Sequence, residues 1–250
     1  MTSNDQAAQP RILRLDEIDS TNAEAMRLAG SGERGPLWII ADRQTAARGR
    51  SGRSWTSADG NLAASYLFDP CCRAEDLHQL ALLTGVAVHT AVWRATGHPI
   101  AGLRLKWPND LLIGAAKAGG ILVETTSFNG RSIAVIGIGL NIACAPNIDG
   151  RSVTRLQALA PALDRDLMFH TLRMEIEDWV AIWRAGAGFH DIRTAWLERA
   201  GVIGERLTVN SGKGLIEGNY IGIDENGALL LRNPDGLVRR LTYGDVSLAK

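Results

Sequence analysis

Between Gln44 and Trp55 the chain reads QTAARGRSGRSW, with Arg48, Arg50 and Arg53 interleaved with Gly49 and Gly52. Glycine lets the backbone turn tightly and approach a ligand, and guanidinium forks make bidentate contacts with phosphate or carboxylate. An anionic ligand is the chemistry this pattern serves. The run is neither G-x-x-x-x-G-K-[ST] nor G-x-G-x-x-G, so it is not a Walker A loop or a dinucleotide fingerprint. By itself an Arg/Gly run fits a solvated loop or an RNA-binding arm as well as a small-molecule site. Trp55 closes it with an aromatic that can stack on a ring or anchor the loop.

Lysine is scarce, 4 against 23 arginines, and two of the four fall in one short stretch. Lys106-Trp-Pro-Asn-Asp110 is followed by Lys117 and then by Ala-Gly-Gly-Ile-Leu-Val-Glu124. A lysine beside a carboxylate is in one reading a surface ion pair worth little. In the other, Lys117 reaches an oxyanion while Asp110 holds Mg²⁺ or orients an amine, with Asn109 beside it. Gly119-Gly120 allows close backbone approach to a ligand, or marks a β-bulge. In Val135-Ile-Gly-Ile-Gly-Leu-Asn-Ile142, Asn141 is a polar side chain in an apolar run and needs a partner, either inside the core or on a ligand.

These segments need elements to hold them. Residues 11–18 alternate as a strand, and Asp19-Ser20-Thr21-Asn22 offers N-caps for a helix that stops near Gly30. Residues 37–41 and 62–68 read as strands flanking the Arg/Gly loop. A long amphipathic helix is expected over 75–96, with its apolar face inward. Strands are expected at 103–107, 111–113, 120–126 and 132–142, the last two joined by a turn at Asn129-Gly130. Lys117 then projects from an edge next to Asn109 and Asp110. Helices are expected at 153–160, 163–185 and 192–200, the second with a core stripe of Met168, Leu172, Ile176, Trp179, Val180 and Trp183. After Gly201 short β-prone runs at 206–210, 214–223, 228–232 and 237–243 suggest a small five-stranded barrel or sheet, with a domain boundary near 201.

Composition narrows the class. With 250 residues, 46% of them hydrophobic, and 27 basic charges against 27 acidic ones, the chain can bury a substantial core at zero formal net charge. Zero net charge argues against broad electrostatic capture of nucleic acid. No apolar stretch approaches the ~20 residues a membrane span needs. The opening MTSNDQAAQP lacks the basic cluster and apolar core of a secretory signal, so a cytoplasmic protein with a flexible segment at 1–10 is expected. Cys71, Cys72 and Cys144 fit no metal-ligand spacing and are expected as free thiols.

Taken together, DSTN at 19–22, QTAARGRSGRSW at 44–55, KWPNDLL at 106–112, K-x2-GILVE at 117–124 and GIGLNI at 137–142 resemble the biotin protein ligases in order and spacing. The resemblance implies an α/β fold: a mixed-sheet catalytic domain (11–200) like class II aminoacyl-tRNA synthetases, then a small SH3-like barrel (201–250). It implies biotin and ATP with Mg²⁺ as ligands, a biotin carboxyl carrier protein as partner, and biotinyl-5′-AMP as intermediate. With about ten residues before the first strand, the DNA-binding domain of bifunctional members is expected to be missing, and neither DNA nor a membrane is an expected partner. A homodimer stays open. By resemblance Lys117, Arg50 and Asp110 are catalytic, with Asp110 the candidate for Mg²⁺. Ser20, Thr21, Asn22, Gln44, Arg48, Gly49, Arg50, Arg53, Trp55, Lys106, Asn109, Lys117, Gly120 and Asn141 bind the substrates. Trp107 and Leu62 are candidates to wall the apolar part of the pocket, with core packing the alternative. Ala47 stands where the family has glycine, and its Cβ disfavours a left-handed backbone there. The loop, with three like charges and no apolar anchor before Trp55, is expected to repel itself until an adenylate supplies the counter-charge. A lipoate or octanoate ligase would want an elongated apolar slot in place of Ser20 and Gln44. A nucleic-acid-binding module would use the Arg-rich loop.

Overall fold

A computed structural model of the protein describes residues 10–212 and 214–248. The expected flexible segment lies, Pro10 apart, outside the described residues, as do Lys213 and Lys250. The elements run β1 (Arg11–Ile18), α1 (Thr21–Gly30), β2 (Leu37–Gln44), β3 (Leu62–Phe68), α2 (Gln79–Thr96), β4 (Leu103–Lys106), β5 (Asp110–Ile113), β6 (Ala116–Phe128) and β7 (Arg131–Leu140). Then follow α3 (Arg165–Trp183), α4 (Phe189–Arg199), β8 (Arg206–Asn210), β9 (Leu215–Ile223), β10 (Leu229–Arg232), β11 (Val238–Leu241) and β12 (Asp245–Leu248).

Strand side chains alternate between faces, and here the alternation sorts two layers. Leu37, Ile39, Leu67, Ile133 and Val135 pack on one face with Ala25 and Ala29 of α1. Trp38, Ile40, Tyr66, Ile136 and Ile138 turn the other way, into the larger core under α2 and α3. The resulting seven-stranded sheet has the order β1-β2-β3-β7-β6-β5-β4. In it β1 and β2 run parallel and the other neighbours antiparallel. Ser20 caps α1 by accepting from the Ala23 N–H at 3.4 Å. The stripe on α3 is core as expected, with Met168, Leu172, Ile176 and Trp183 buried.

The second sheet is antiparallel, in the order β11-β10-β9-β8-β12. Its apolar residues Leu207, Tyr220, Leu229 and Val246 join Leu105, Trp107 and Trp196 in one continuous core. Polar contacts fasten the same junction: Trp107 Nε1 donates to the Gly227 carbonyl at 3.0 Å, and Arg104 pairs with Glu205 at 2.8 Å. As a result β12 stands beside the Arg/Gly loop and the β4–β5 hairpin.

Three expectations are corrected. The helix at 153–160 is only a 3₁₀ turn at Leu156–Ala158. Thr154, Leu156 and Gln157 N–H groups bond instead to the carbonyls of Lys117, Asn141 and Ile142, so tertiary partners outcompete local helix bonds. The run at 237–243 ends as β11, and Gly244, at φ 149°, leads into a further strand, β12. The first residues of the expected 75–96 helix form a separate 3₁₀ turn, and α2 starts at Gln79.

His89 on α2 has its pKa pushed down to about 4 by burial and by nearby Arg199. The fold therefore favours neutral imidazole. The resulting stability is present above the ordinary value of 6.5 and is lost as pH falls towards 4. His89→Gln should flatten that part of a urea-stability profile against pH.

Candidate active site

On the α1 face of the large sheet, bulky side chains stop at Leu67 and Val135. One row further on, Ser65, Gly137 and Leu122 lie side by side across β3, β7 and β6, and the next row is Ala63, Gly139 and Gly120. Leu122 apart, none of these carries more than two side-chain heavy atoms. A cavity of about 560 Å³ stands on this low floor. The glycines are filled by neighbours: a Cβ at Gly137 would run into the Asn22 amide, and one at Gly139 would lie 2.7 Å from the Trp55 ring.

The N-terminus of α1 brings Ser20, Thr21 and Asn22 to one end of the cavity, and the end of β2 brings Gln44. Gln44 Oε1 accepts from the Thr21 N–H at 2.8 Å and lies 3.2 Å from its hydroxyl. Asn22 Nδ2 donates to the Leu122 carbonyl at 3.2 Å and to Glu124 Oε2 at 2.8 Å. This end is neutral and rich in hydrogen-bonding groups.

The other end is charged. The β4–β5 hairpin and the start of β6 place Asp110 between two ammonium groups, Lys117 Nζ at 2.5 Å from Oδ1 and Lys106 Nζ at 2.8 Å from Oδ2. Burial pushes the Asp110 carboxyl up, but Lys117 and Lys106 outweigh it and hold the pKa below the usual carboxylate value. Lys106 also donates to the Val246 carbonyl at 2.8 Å. Asn109 Nδ2 donates to the Ile121 carbonyl at 2.6 Å, and its oxygen accepts from Arg50 at 3.0 Å. Lys117 Nζ is 5.5 Å from the centre of the Trp55 ring. Lys117 does not project from an edge: β6 is interior, and Val153 pairs beside Lys117.

The Arg/Gly loop folds on itself, with Arg48 bridging to Ser54, Gly49 N donating to Arg53 O at 2.7 Å and Trp55 N to Ala47 O at 2.9 Å. Left-handed backbone falls at Ser51 (φ 55°) and Gly52 (φ 71°) and not at Ala47. The expected lack of counter-charge is corrected. Arg53 pairs with Asp245 of β12 at 2.6 Å and Arg48 meets Glu124 at 3.4 Å, while Arg50 also donates to the Gly244 carbonyl at 3.3 Å. Asn141 divides its amide: Nδ2 donates to the Thr154 carbonyl at 3.1 Å, and the buried Oδ1 has no partner although the residue lines the cavity. Trp107 lines the cavity as well as the core, whereas Leu62 belongs to the core alone.

Sequence profiles of the Biotin/lipoate A/B protein ligase family and of the Biotin protein ligase C terminal domain match residues 16–141 and 202–249. The chain is 37% identical to a biotin–[acetyl-CoA-carboxylase] ligase of Paracoccus denitrificans, over 89% of this chain and 94% of that one. It belongs to the biotin protein ligase family. Among solved structures, biotin protein ligase from Aquifex aeolicus in complex with biotin and ATP is 28% identical, with a TM-score of 0.81 over 96% of this chain and 99% of that one. The Leishmania major biotin protein ligase in complex with biotinyl-5-AMP is 25% identical, with a TM-score of 0.64 over 94% and 100%. A bifunctional ligase/repressor of Bacillus subtilis is 31% identical over 95% of this chain and 74% of its own length.

In this biotin protein ligase the expected Mg²⁺ ligand does not fit the role. Both Asp110 oxygens are occupied by lysine, and the described residues hold no group of three His, Cys, Asp or Glu side chains suited to a metal. Some lining was missed in the sequence: Ser152 and Val153, running beside Lys117, and Asp245 and Val246 on β12. Nothing local marks these, because only the fold brings them in. Ser65, buried behind the lining, did leave a signal as a small hydroxyl directly after the apolar residues Leu62, Ala63 and Ala64. Gly137→Ala should cost about 1–3 kcal/mol by overpacking against Asn22, read as a lower urea midpoint, and biotin added during the melt should recover little of it.

Proposed function

We propose that the chain joins biotin to the acceptor lysine of a biotin carboxyl carrier domain in two half-reactions within this one cavity. The observation that carries the reading is the division of the cavity into a neutral hydrogen-bonding end and a cationic end. The uncharged ureido ring suits Ser20, Thr21 and Gln44, with Asn22 behind them, and Trp55, Trp107 and the bare floor at Gly120 enclose the apolar body. The biotin carboxylate then lies at Lys117.

In the first half-reaction a carboxylate oxygen attacks the α-phosphorus of ATP, the bond to the β-phosphate oxygen breaks, and pyrophosphate leaves. Lys117 and Lys106 neutralise charge where the mixed anhydride forms. Arg48, Gly49, Arg50 and Arg53 close over the phosphate, and Asn141 Oδ1 offers its open acceptor to the base. In the second, the neutral ε-amine of the carrier lysine attacks the acyl carbon, the anhydride bond breaks, and AMP leaves. Asp110 orients that amine. Mg²⁺ would enter on the ATP phosphates, and no step is assigned to a protein-held ion. Residues 11–200 act as the catalytic unit and 201–250 as a second unit, a division that the two separate family matches support.

Incubating the protein with ATP, biotin and a carrier domain should add one biotinyl group to the carrier by intact mass. Transfer of an octanoyl or lipoyl group in place of biotin would overturn the reading.

A further inference from the structure

Behind the neutral end of the cavity lies a chain of hydrogen bonds whose directions can be counted. Ser65 Oγ is 2.6 Å from Asn22 Oδ1 and 2.8 Å from Thr21 Oγ1. The Asn22 amino group is taken by two acceptors, the Leu122 carbonyl and Glu124 Oε2, which leaves its Oδ1 to face Ser65. An amide oxygen only accepts, and a hydroxyl has one proton. Ser65 therefore donates to Asn22, and of the two oxygens near the Thr21 hydroxyl, Ser65 Oγ at 2.8 Å and Gln44 Oε1 at 3.2 Å, the nearer takes the Thr21 proton, since Ser65 has none left to give. The donors run Thr21 to Ser65 to Asn22 to Glu124, and a carboxylate ends the chain because an ionised carboxylate only accepts.

The consequence appears at the cavity wall. With its proton given to Ser65, the Thr21 hydroxyl turns free lone pairs toward the cavity it lines. Gln44 Oε1 is held by the Thr21 N–H, which leaves the Gln44 amino group as a donor. One acceptor and one donor side by side complement the N–H and C=O of a ureido group. The same Glu124 oxygen also meets Arg48 of the loop, at 3.4 Å. Glu124 itself does not line the cavity, and Gly137 is what leaves room for the Asn22 amide to reach it.

We propose that Glu124 is a positioning residue that sets the direction of this chain, so that Thr21 must receive an N–H from the ligand. The inference rests on the proposed function in taking that ligand to be biotin. Replacing Glu124 with leucine removes the charged end and the shorter of the two contacts of the Asn22 amino group, leaving the 3.2 Å contact to the Leu122 carbonyl as its remaining hold on the direction.

The test compares biotin with its two cyclic carbamate isosteres, each with one ureido N–H replaced by a ring oxygen, in direct binding titrations. Wild-type protein should bind at least one isostere about 10- to 100-fold more weakly than biotin, because a buried acceptor faces an oxygen. In Glu124→Leu the gap should narrow to about threefold or less, chiefly through weaker biotin binding, while ATP affinity should not fall, because the substitution only frees Arg48 for phosphate. Where the leucine variant does not fold, Glu124→Gln carries the same test, since its uncharged amide can donate. An unchanged gap in the folded variant, no gap in the wild type, or an equal loss for biotin and ATP overturns the inference and leaves the ligase reading standing. A wild type that binds neither biotin nor its isosteres overturns the reading beneath it.

Discussion

Lys117→Ala should slow adenylate formation by about 100- to 1,000-fold, equal to about 2.7–4 kcal/mol of lost transition-state stabilisation, and leave the fold intact. The backbone of Lys117 is wired independently of its side chain, its N–H donating to the Ser152 carbonyl and its carbonyl accepting from Thr154. Truncation therefore removes a charge without loosening the segment that lines the site. It also leaves Asp110 with Lys106 as its remaining ion-pair partner, so the charge facing the incoming phosphate becomes less positive. Pyrophosphate release measured with saturating biotin checks the result, and Lys117→Arg should recover part of the rate. A wild-type rate in the alanine variant would remove Lys117 from the chemistry.

Arg50→Gly should form the adenylate and lose it early. Arg50 joins three parts of the structure, with its guanidinium on Asn109 of the β4–β5 hairpin and on the Gly244 carbonyl before β12. Burial lowers its pKa, with Asp245 and Asp110 opposing. Charge-assisted hydrogen bonds of this kind are worth about 1.5–3 kcal/mol each. Losing the equivalent of one of them from the closed loop should speed escape of the intermediate about 10- to 100-fold. Escaped mixed anhydride acylates any amine it meets, so bystander lysines should carry biotin in the variant and not in the wild type. Labelling confined to the carrier would show that the loop does not retain the intermediate.

Most of the architecture was readable because strand and helix periods were clean. Leu37 to Ala41 and Leu62 to Phe68 read as strands instead from apolar runs without alternation, and only the structure shows that neighbouring residues divide between the two cores. The helix expected at 153–160 failed because its composition says nothing of the Lys117 and Asn141 backbone groups waiting for partners. Motif residues were readable as types, but their company was not. Arg53 is placed by Asp245, 192 residues away, and no local pattern announces an acid that arrives on another sheet. Glu124 was visible at the end of a motif, but its link to Asn22 needs the register that sets Leu122 opposite Gly137.

The bare floor of the cavity bears on how such a site diversifies. Missing side chains at Gly120, Gly137 and Gly139 keep the sheet low, and the Asn22 amide and the Trp55 ring rest in the space over Gly137 and Gly139. Backbone pairing across those rows is indifferent to what the side chains are, so a methyl group added there would act by displacing Asn22 or Trp55 and not by rearranging the sheet. Acyl-group choice is thereby tied to the groups that handle phosphate, because a Cβ at Gly120 would meet Lys117 Nζ at 3.2 Å. A lineage that traded a fused bicyclic acid for a straight-chain one would have to change those two rows together with the side chains resting on them, so floor and tenants would pass from ancestor to descendant as a unit.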